Sequence, residues 1–232
     1  MTPPYTLAES AQAIVFDLDG TLVDTFDDLA LALDDALCEF DLPPAPRDVV
    51  LADIHRGLDE TARAILHRYG TAPAVHEGVI AAYRKHYRRR AHAVSRLYPG
   101  VAEFLALTWQ RGCPMAVCTN KLTADARELL ALLGIDGFFA EVTGIDAGGQ
   151  AKPAPEPLWL TIRLLGSSPD VTLFVGDSEI DAQCAKNAGV TFLLHDAGFG
   201  PEAAAAIGCA GRFQAYAELH ERKSAGTQAI AV

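Results

Sequence analysis

Asp17 and Asp19 stand two residues apart just after the run Ala13-Ile14-Val15-Phe16, and Asp177 and Asp181 stand four apart just after Val171-Thr172-Leu173-Phe174-Val175. Both runs are short, continuous, apolar and rich in β-branched residues, the pattern of strands buried on both faces. Side chains alternate along an extended segment, so Asp17 and Asp19 point the same way while Leu18 turns back towards the core. Two carboxylates about 4 Å apart repel by roughly 4 kcal/mol at an effective dielectric near 20. The arrangement calls for a cation, a shared proton, or both. Asp181, on the first turn of a helix, can face the same space as Asp177. A turn or helix cap would explain one such acid. Four acids at two strand ends are better explained by a hard divalent cation held through oxygen, for which Mg2+ is the natural choice. A calcium loop of the EF-hand type is a poor match, because its glycine belongs at the sixth position and Gly20 stands at the fourth.

Other polar groups fall at comparable places. Gly20 and Thr21 follow the first pair of acids, where a backbone can pass close to a ligand. Thr119-Asn120-Lys121 follows another buried run, and its hydroxyl, amide and free N–H groups suit an anion; a plain helix N-cap at Thr119 fits equally well. Lys152, in Ala151-Lys152-Pro153, is either a solvated loop charge or a fixed cation among the carboxylates.

The elements that must position these groups can be read from periodicity. Phe26, Leu29, Ala30, Leu33 and Leu37 recur at helical spacing with acids between them, and Pro43, Pro44 and Pro46 end the segment. Helical patterns at about 47–54, 58–69 and 75–92 follow with no strand between them. From Tyr98-Pro99-Gly100 onward helix and strand alternate: helix 100–110, strand 114–118, helix 123–133, strand 138–143, helix 155–165, strand 171–175, helix 179–187 and strand 190–194. Repeated β-α-β units imply an α/β fold with a Rossmann-like parallel sheet, helices on both faces and ligands beyond the carboxyl ends of the strands. Every polar group above falls at such an end. The segmentation expected is a core from residues 1–24 and 93–232 and a small helical domain from residues 25–92, while the tail from Ser224 to Val232 is weakly patterned.

Composition narrows the partners. With 232 residues, half of them apolar, the chain can bury a full core. A formal charge of −11 argues against nucleic acid and anionic membranes. Five cysteines without a C-x-x-C pair read as reduced thiols. The first residues lack the basic start and apolar centre of a signal peptide, and no apolar stretch approaches the roughly 18 residues of a spanning helix, so a cytoplasmic protein, monomer or homodimer, is expected.

Taken in order, DLDGTLVDT, CTNK, AKP and VGDSEID resemble the four motifs of the haloacid dehalogenase-like hydrolases, and residues 25–92 resemble that superfamily's helical cap. The Thr-Asn-Lys and the Tyr-Pro-Gly before the second half look most like its phosphoglycolate phosphatase branch. The resemblance implies a Mg2+-dependent phosphatase of a small phosphorylated metabolite. Asp17 would be the nucleophile, carrying the phosphoryl group as an aspartyl phosphate, and Asp19 the alternating acid and base. Thr119 and the backbone N–H of Asn120 would hold phosphate oxygens, with Gly20 beside them, and Lys152 would orient Asp17. Mg2+ would be held by Asp17, the backbone carbonyl of Asp19 and Asp177, with Asp181 ligating directly or through water.

Neighbouring chemistries fit less well. A dehalogenase does not need an acid at the position of Asp19, and a phosphonate-cleaving relative needs a lysine in the first cap helix, whereas residues 25–46 hold no Lys or Arg. A sugar-phosphate mutase usually carries Gly-x-Ser-Arg where this chain reads Arg56-Gly57-Leu58-Asp59, which weakens that alternative. There is neither a Cys-x5-Arg loop nor a G-x-x-x-x-G-K-[ST] loop. A silent binding or regulatory module of the same fold is the alternative from another class. In the cap, Arg56 could meet a second anionic group such as a carboxylate, or simply be an exposed loop arginine. The six Lys and Arg from Arg84 to Arg96 read first as a solvated helix face.

Overall fold

The structure, a computed structural model, describes residues 1–90, 92–147 and 149–220. The expectation for Ser224 to Val232 lies outside them. In chain order the elements are α1 (Pro4–Ser10), β1 (Ala13–Phe16), β2 (Val23–Asp24), α2 (Phe26–Cys38), α3 (Arg47–Asp53), α4 (Leu58–Arg68), α5 (Pro73–Arg90), β3 (Arg96–Leu97) and α6 (Val101–Gln110). They continue with β4 (Met115–Cys118), α7 (Thr123–Leu132), β5 (Glu141–Thr143), α8 (Glu156–Leu164), β6 (Thr172–Gly176), α9 (Glu179–Ala188), β7 (Thr191–His195), α10 (Pro201–Ile207) and β8 (Gly211–Phe213).

Six strands form one parallel sheet in the order β5-β4-β1-β6-β7-β8, which puts β1 at its centre between β4 and β6. The alternation of side chains splits the central strands between two cores. Ile14, Phe16, Leu173 and Val175 face α6 and α7, where Phe104, Leu105, Leu129 and Leu130 cover them. Val15 and Phe174 face α8, α9 and α10, through Leu158, Ile162, Ala185 and Ala204. A strand covered on both sides has little room for polar residues, which is why β1, β4 and β6 are buried throughout and apolar but for Thr172 at the start of β6, and why the charged residues start where the strands stop.

The helices α2 to α5 build a third core of their own, around Leu33, Leu37, Ile65, Leu66, Val79 and Tyr83. The chain enters this unit through β2 and leaves it through β3, and those two short strands pair antiparallel, Val23 with Leu97 and Asp24 with Arg96. Asp28, fully buried on α2, ties down the exit: its Oδ2 accepts the N–H groups of Val94 (3.1 Å) and Ser95 (2.8 Å) and the Ser95 hydroxyl (2.7 Å).

The alternation expected from Tyr98 onward is present, with boundaries moved by local chemistry. The strand expected over 138–143 is confined to Glu141–Thr143, because 136–138 close into a 3-10 turn. The segment expected as helix to residue 92 ends at Arg90, and His92 takes a left-handed φ of 56° that no helix continues through. The stretch 47–54 ends as a helix at Asp53 and runs into a 3-10 turn, Ile54–Arg56, before Gly57 (φ 91°) starts α4. Five further elements, α1, β2, β3, α10 and β8, are too short or too alanine-rich to show a period in the sequence. Among the described residues no helix is long and apolar enough to cross a membrane.

Candidate active site

The site lies beyond the carboxyl ends of β1, β4 and β6. The Asp17 N–H still bonds to Val175 O (2.9 Å), so the nucleophile candidate is the last residue held by the ladder, and Leu18 is fully buried as the alternation requires. Gly20 then turns with φ 85° and donates its N–H to Val23 O (2.8 Å). A Cβ at Gly20 would land on the Asp177 carboxylate, so this turn tolerates no side chain.

Asp17, Asp177 and Asp181 converge: each is buried, and one carboxylate oxygen from each lies within 4.8 Å of the others. Charges at that separation repel by about 3 to 4 kcal/mol per pair at an effective dielectric near 20. Burial first, then its acidic neighbours, push Asp177 well above the usual carboxylate range. Burial raises Asp17 to about 7 even though Lys152 pulls it down. Lys152 is the internal counter-charge. Its Nζ lies 2.8 Å from Asp17 Oδ1 and 2.6 Å from Asp181 Oδ1, and although burial works against its charge these two acids hold it well above its ordinary range.

The remaining bonds distinguish the three acids. Asp181 is the most heavily bonded: its Oδ2 accepts from the Ser178 hydroxyl (2.6 Å) and N–H (3.1 Å) in a capping box that starts α9. Asp177 accepts from the Thr21 hydroxyl (2.7 Å) and the Phe199 N–H (2.7 Å). Asp17 Oδ1 is buried against the Lys152 ammonium, 2.8 Å away. Three buried carboxylates that converge around a single internal cation are a donor set that fits a hard divalent cation.

Asp19 stands apart from this trio. Its carboxylate is gripped by Lys121 Nζ at 3.0 and 2.8 Å and by the Thr25 hydroxyl at 2.7 Å, which leaves its backbone carbonyl as its route to any ion. Burial opposes the Lys121 charge, but Asp19 and Tyr87 outweigh it and keep the ammonium above its ordinary range, with the Tyr87 ring 4.9 Å away. The spacing of Thr-Asn-Lys contained the signal for Lys121, two residues beyond Thr119 at the same strand end. Nothing in the sequence pointed to Tyr87, which reaches the site from α5.

Thr119 is buried at the end of β4, and its Oγ accepts the Lys121 N–H (3.2 Å), leaving the hydroxyl proton to donate. The Asn120 side chain clamps the loop that carries Lys152, donating to Lys152 O (3.1 Å) and accepting from Lys152 N (2.9 Å). Asp17, Asp19, Thr119, Asn120, Lys152 and Arg56 all border one cavity of about 230 Å3. Arg56 enters it from the helical unit, with Nε 3.5 Å from Asp53 and Nη2 3.5 Å from Glu179 of α9. Beside it, His55 Nε2 lies 3.5 Å from the same Glu179.

A parallel sheet whose central strand ends in two acids, with a third acid just beyond the next strand, a fourth on the first turn of the helix after it and a helical unit inserted between the two pairs, defines one class of enzyme folds. The family described as haloacid dehalogenase-like hydrolase matches residues 14–195, and the chain belongs to it. It is 40% identical over 182 residues to a phosphoglycolate phosphatase of Pasteurella multocida (76% of this chain, 81% of the relative). A phosphoglycolate phosphatase of Aquifex aeolicus is 34% identical over 183 residues (79% and 84%). Among solved structures, a predicted phosphoglycolate phosphatase from Haemophilus somnus superposes with a TM-score of 0.85 at 30% identity, over 90% of this chain and 96% of that one.

Proposed function

We propose that the chain is a Mg2+-dependent phosphatase that hydrolyses a short phosphomonoester, of the phosphoglycolate kind, through a phosphoryl group carried on Asp17. The observation that carries this reading is the Asp17 carboxylate: buried against Lys152, clustered with Asp177 and Asp181, and bordering a cavity that Thr119 and Asn120 also line. The cavity is small, about 230 Å3, which suits a short metabolite. The relatives named above as phosphoglycolate phosphatases support the same size class.

Asp17 attacks phosphorus, and the bond to the leaving oxygen breaks as the new one forms. Asp19, aimed by Lys121 and Thr25, delivers a proton to that leaving oxygen. The resulting carboxylate then takes a proton from water, which attacks phosphorus, releases inorganic phosphate and frees Asp17. The Thr119 hydroxyl and the Asn120 backbone N–H donate to equatorial oxygens, and Lys152 orients Asp17 and offsets charge. Bound Mg2+ supplies the positive charge that offsets the clustered acids and polarises phosphoryl oxygen. Asp17, Asp177 and the Asp19 carbonyl would hold it, with Asp181 directly or through water.

Purified protein with millimolar Mg2+ should release phosphate from phosphoglycolate and from p-nitrophenyl phosphate, and a chelator should abolish both. A panel of phosphorylated metabolites ranked by kcat/KM should favour short acidic esters. Absence of release across the panel would overturn the reading in favour of a binding module.

A further inference from the structure

The cavity is bordered by Arg56, Arg84, Arg88, Lys121 and Lys152, and four of these cations are already matched to acids. Lys152 pairs with Asp17 and Asp181, and Lys121 with Asp19. Arg84 forms a two-pronged pair with Asp59, its Nε at 2.8 Å. Arg56 is shared between Asp53 and Glu179. Among the described residues Arg88 has no acidic partner; its one hydrogen bond runs from Nε to Arg84 O (3.3 Å), one turn back along α5.

Arg88 also follows directly on Tyr87, whose ring packs against Lys121, and Lys121 grips Asp19. The helix thus brings an unmatched guanidinium to the wall of the small space that Asp17 and Asp19 border from below. A phosphomonoester seated with its phosphorus at Asp17 has only this wall and the rim in which to place the rest of its structure. A guanidinium recognises a carboxylate or second phosphate through paired N–H donors.

We propose that Arg88 is the specificity-determining residue that binds a second anionic group of the substrate, a carboxylate on a short stem. The inference rests on the phosphatase reading and deepens it. It moves to Arg88 the part expected from sequence for Arg56, whose guanidinium instead bridges the helical unit to α9. Asp125 is the other charge on the cavity wall without an ion-pair partner among the described residues, and it is the alternative mate for Arg88.

The test uses phosphoglycolate and 2-hydroxyethyl phosphate, which differ by a carboxylate against a neutral hydroxymethyl group. Arg88→Gln should lower kcat/KM for phosphoglycolate roughly 10- to 30-fold, mostly through KM, the lower part of the range for a charged hydrogen bond because the site is open to water. On 2-hydroxyethyl phosphate the change should stay within about 3-fold, and Arg88→Lys should recover part of the loss. Equal losses on both substrates, or a larger phosphoglycolate-selective loss in Arg56→Ala, would overturn the proposal. Equal losses reproduced by Asp125→Ala would identify an Arg88–Asp125 pair instead. Calorimetric binding of the same two compounds to Asp17→Asn protein reads the anchor independently of turnover. Selective weakening of phosphoglycolate by added Arg88→Gln supports it even where the phosphatase reading fails, and its absence overturns it.

Discussion

Asp17→Asn should reduce phosphate release by a factor on the order of 10^4 or more, the scale on which removing a covalent nucleophile acts. The amide is nearly the same size, so the fold and the cavity should persist. What changes is the oxygen that must form a bond to phosphorus: an amide oxygen is a poor nucleophile and the NH2 group none. The substitution also removes one of three mutually repelling acids, each buried and within 4.8 Å of the others. Metal-free Asp17→Asn protein should therefore be at least as stable as the wild type in urea unfolding. Residual release near the wild-type rate, measured with protein purified free of contaminating phosphatases, would remove Asp17 from its assigned role.

Lys152→Met should lower kcat by about 10^3-fold, because the cation that orients Asp17 and offsets its charge is lost while its bulk is kept. This substitution also has a cost in stability. Lys152 lies between Asp17 and Asp181, and removing one partner of a buried ion pair typically costs about 3 to 5 kcal/mol. The sign of the pH dependence follows from the raised Asp17, at about 7 in the folded protein with Lys152 present. A carboxylate that binds its proton more tightly when folded than when unfolded favours the folded state increasingly as pH falls. Without Lys152 the Asp17 carboxyl sits higher still, so Lys152→Met gains more from protonation than the wild type does, and its deficit should shrink between pH 7.5 and pH 5.5. Urea unfolding at the two pH values measures it; a deficit that grows on acidification would contradict the geometry.

How much of this was readable beforehand depended on the range of the interaction. The acids at strand ends were legible because two local rules coincide there, burial of a continuous apolar run and alternation of side chains beyond it; Leu18 turns to the core as expected, but the Asp19 carboxylate, expected to share one space with the other three acids, is drawn to Lys121 and Thr25 instead. The inserted helices were legible from their period. Partnerships between distant segments were not. Lys121 meets Asp19 across 102 positions and Asn120 clamps Lys152 across 32, and no periodicity encodes either. Arg56 was legible as an arginine of the helical unit, but its contact with Glu179 on α9 was not, because the two are adjacent only in the fold. The short pair β2 and β3 was invisible for a related reason: two-residue strands have no period, and their pairing joins Val23 to Leu97.

The most direct test of the central claim is a crystal structure of the protein with Mg2+ and beryllium trifluoride, a mimic of a transferred phosphoryl group. The account predicts the beryllium bonded to a carboxylate oxygen of Asp17, with one metal ion between Asp17 and Asp177 and fluorides facing Thr119, the Asn120 N–H and Lys152. An adduct on any other residue, or a metal ion outside the Asp17–Asp177 space, would contradict it.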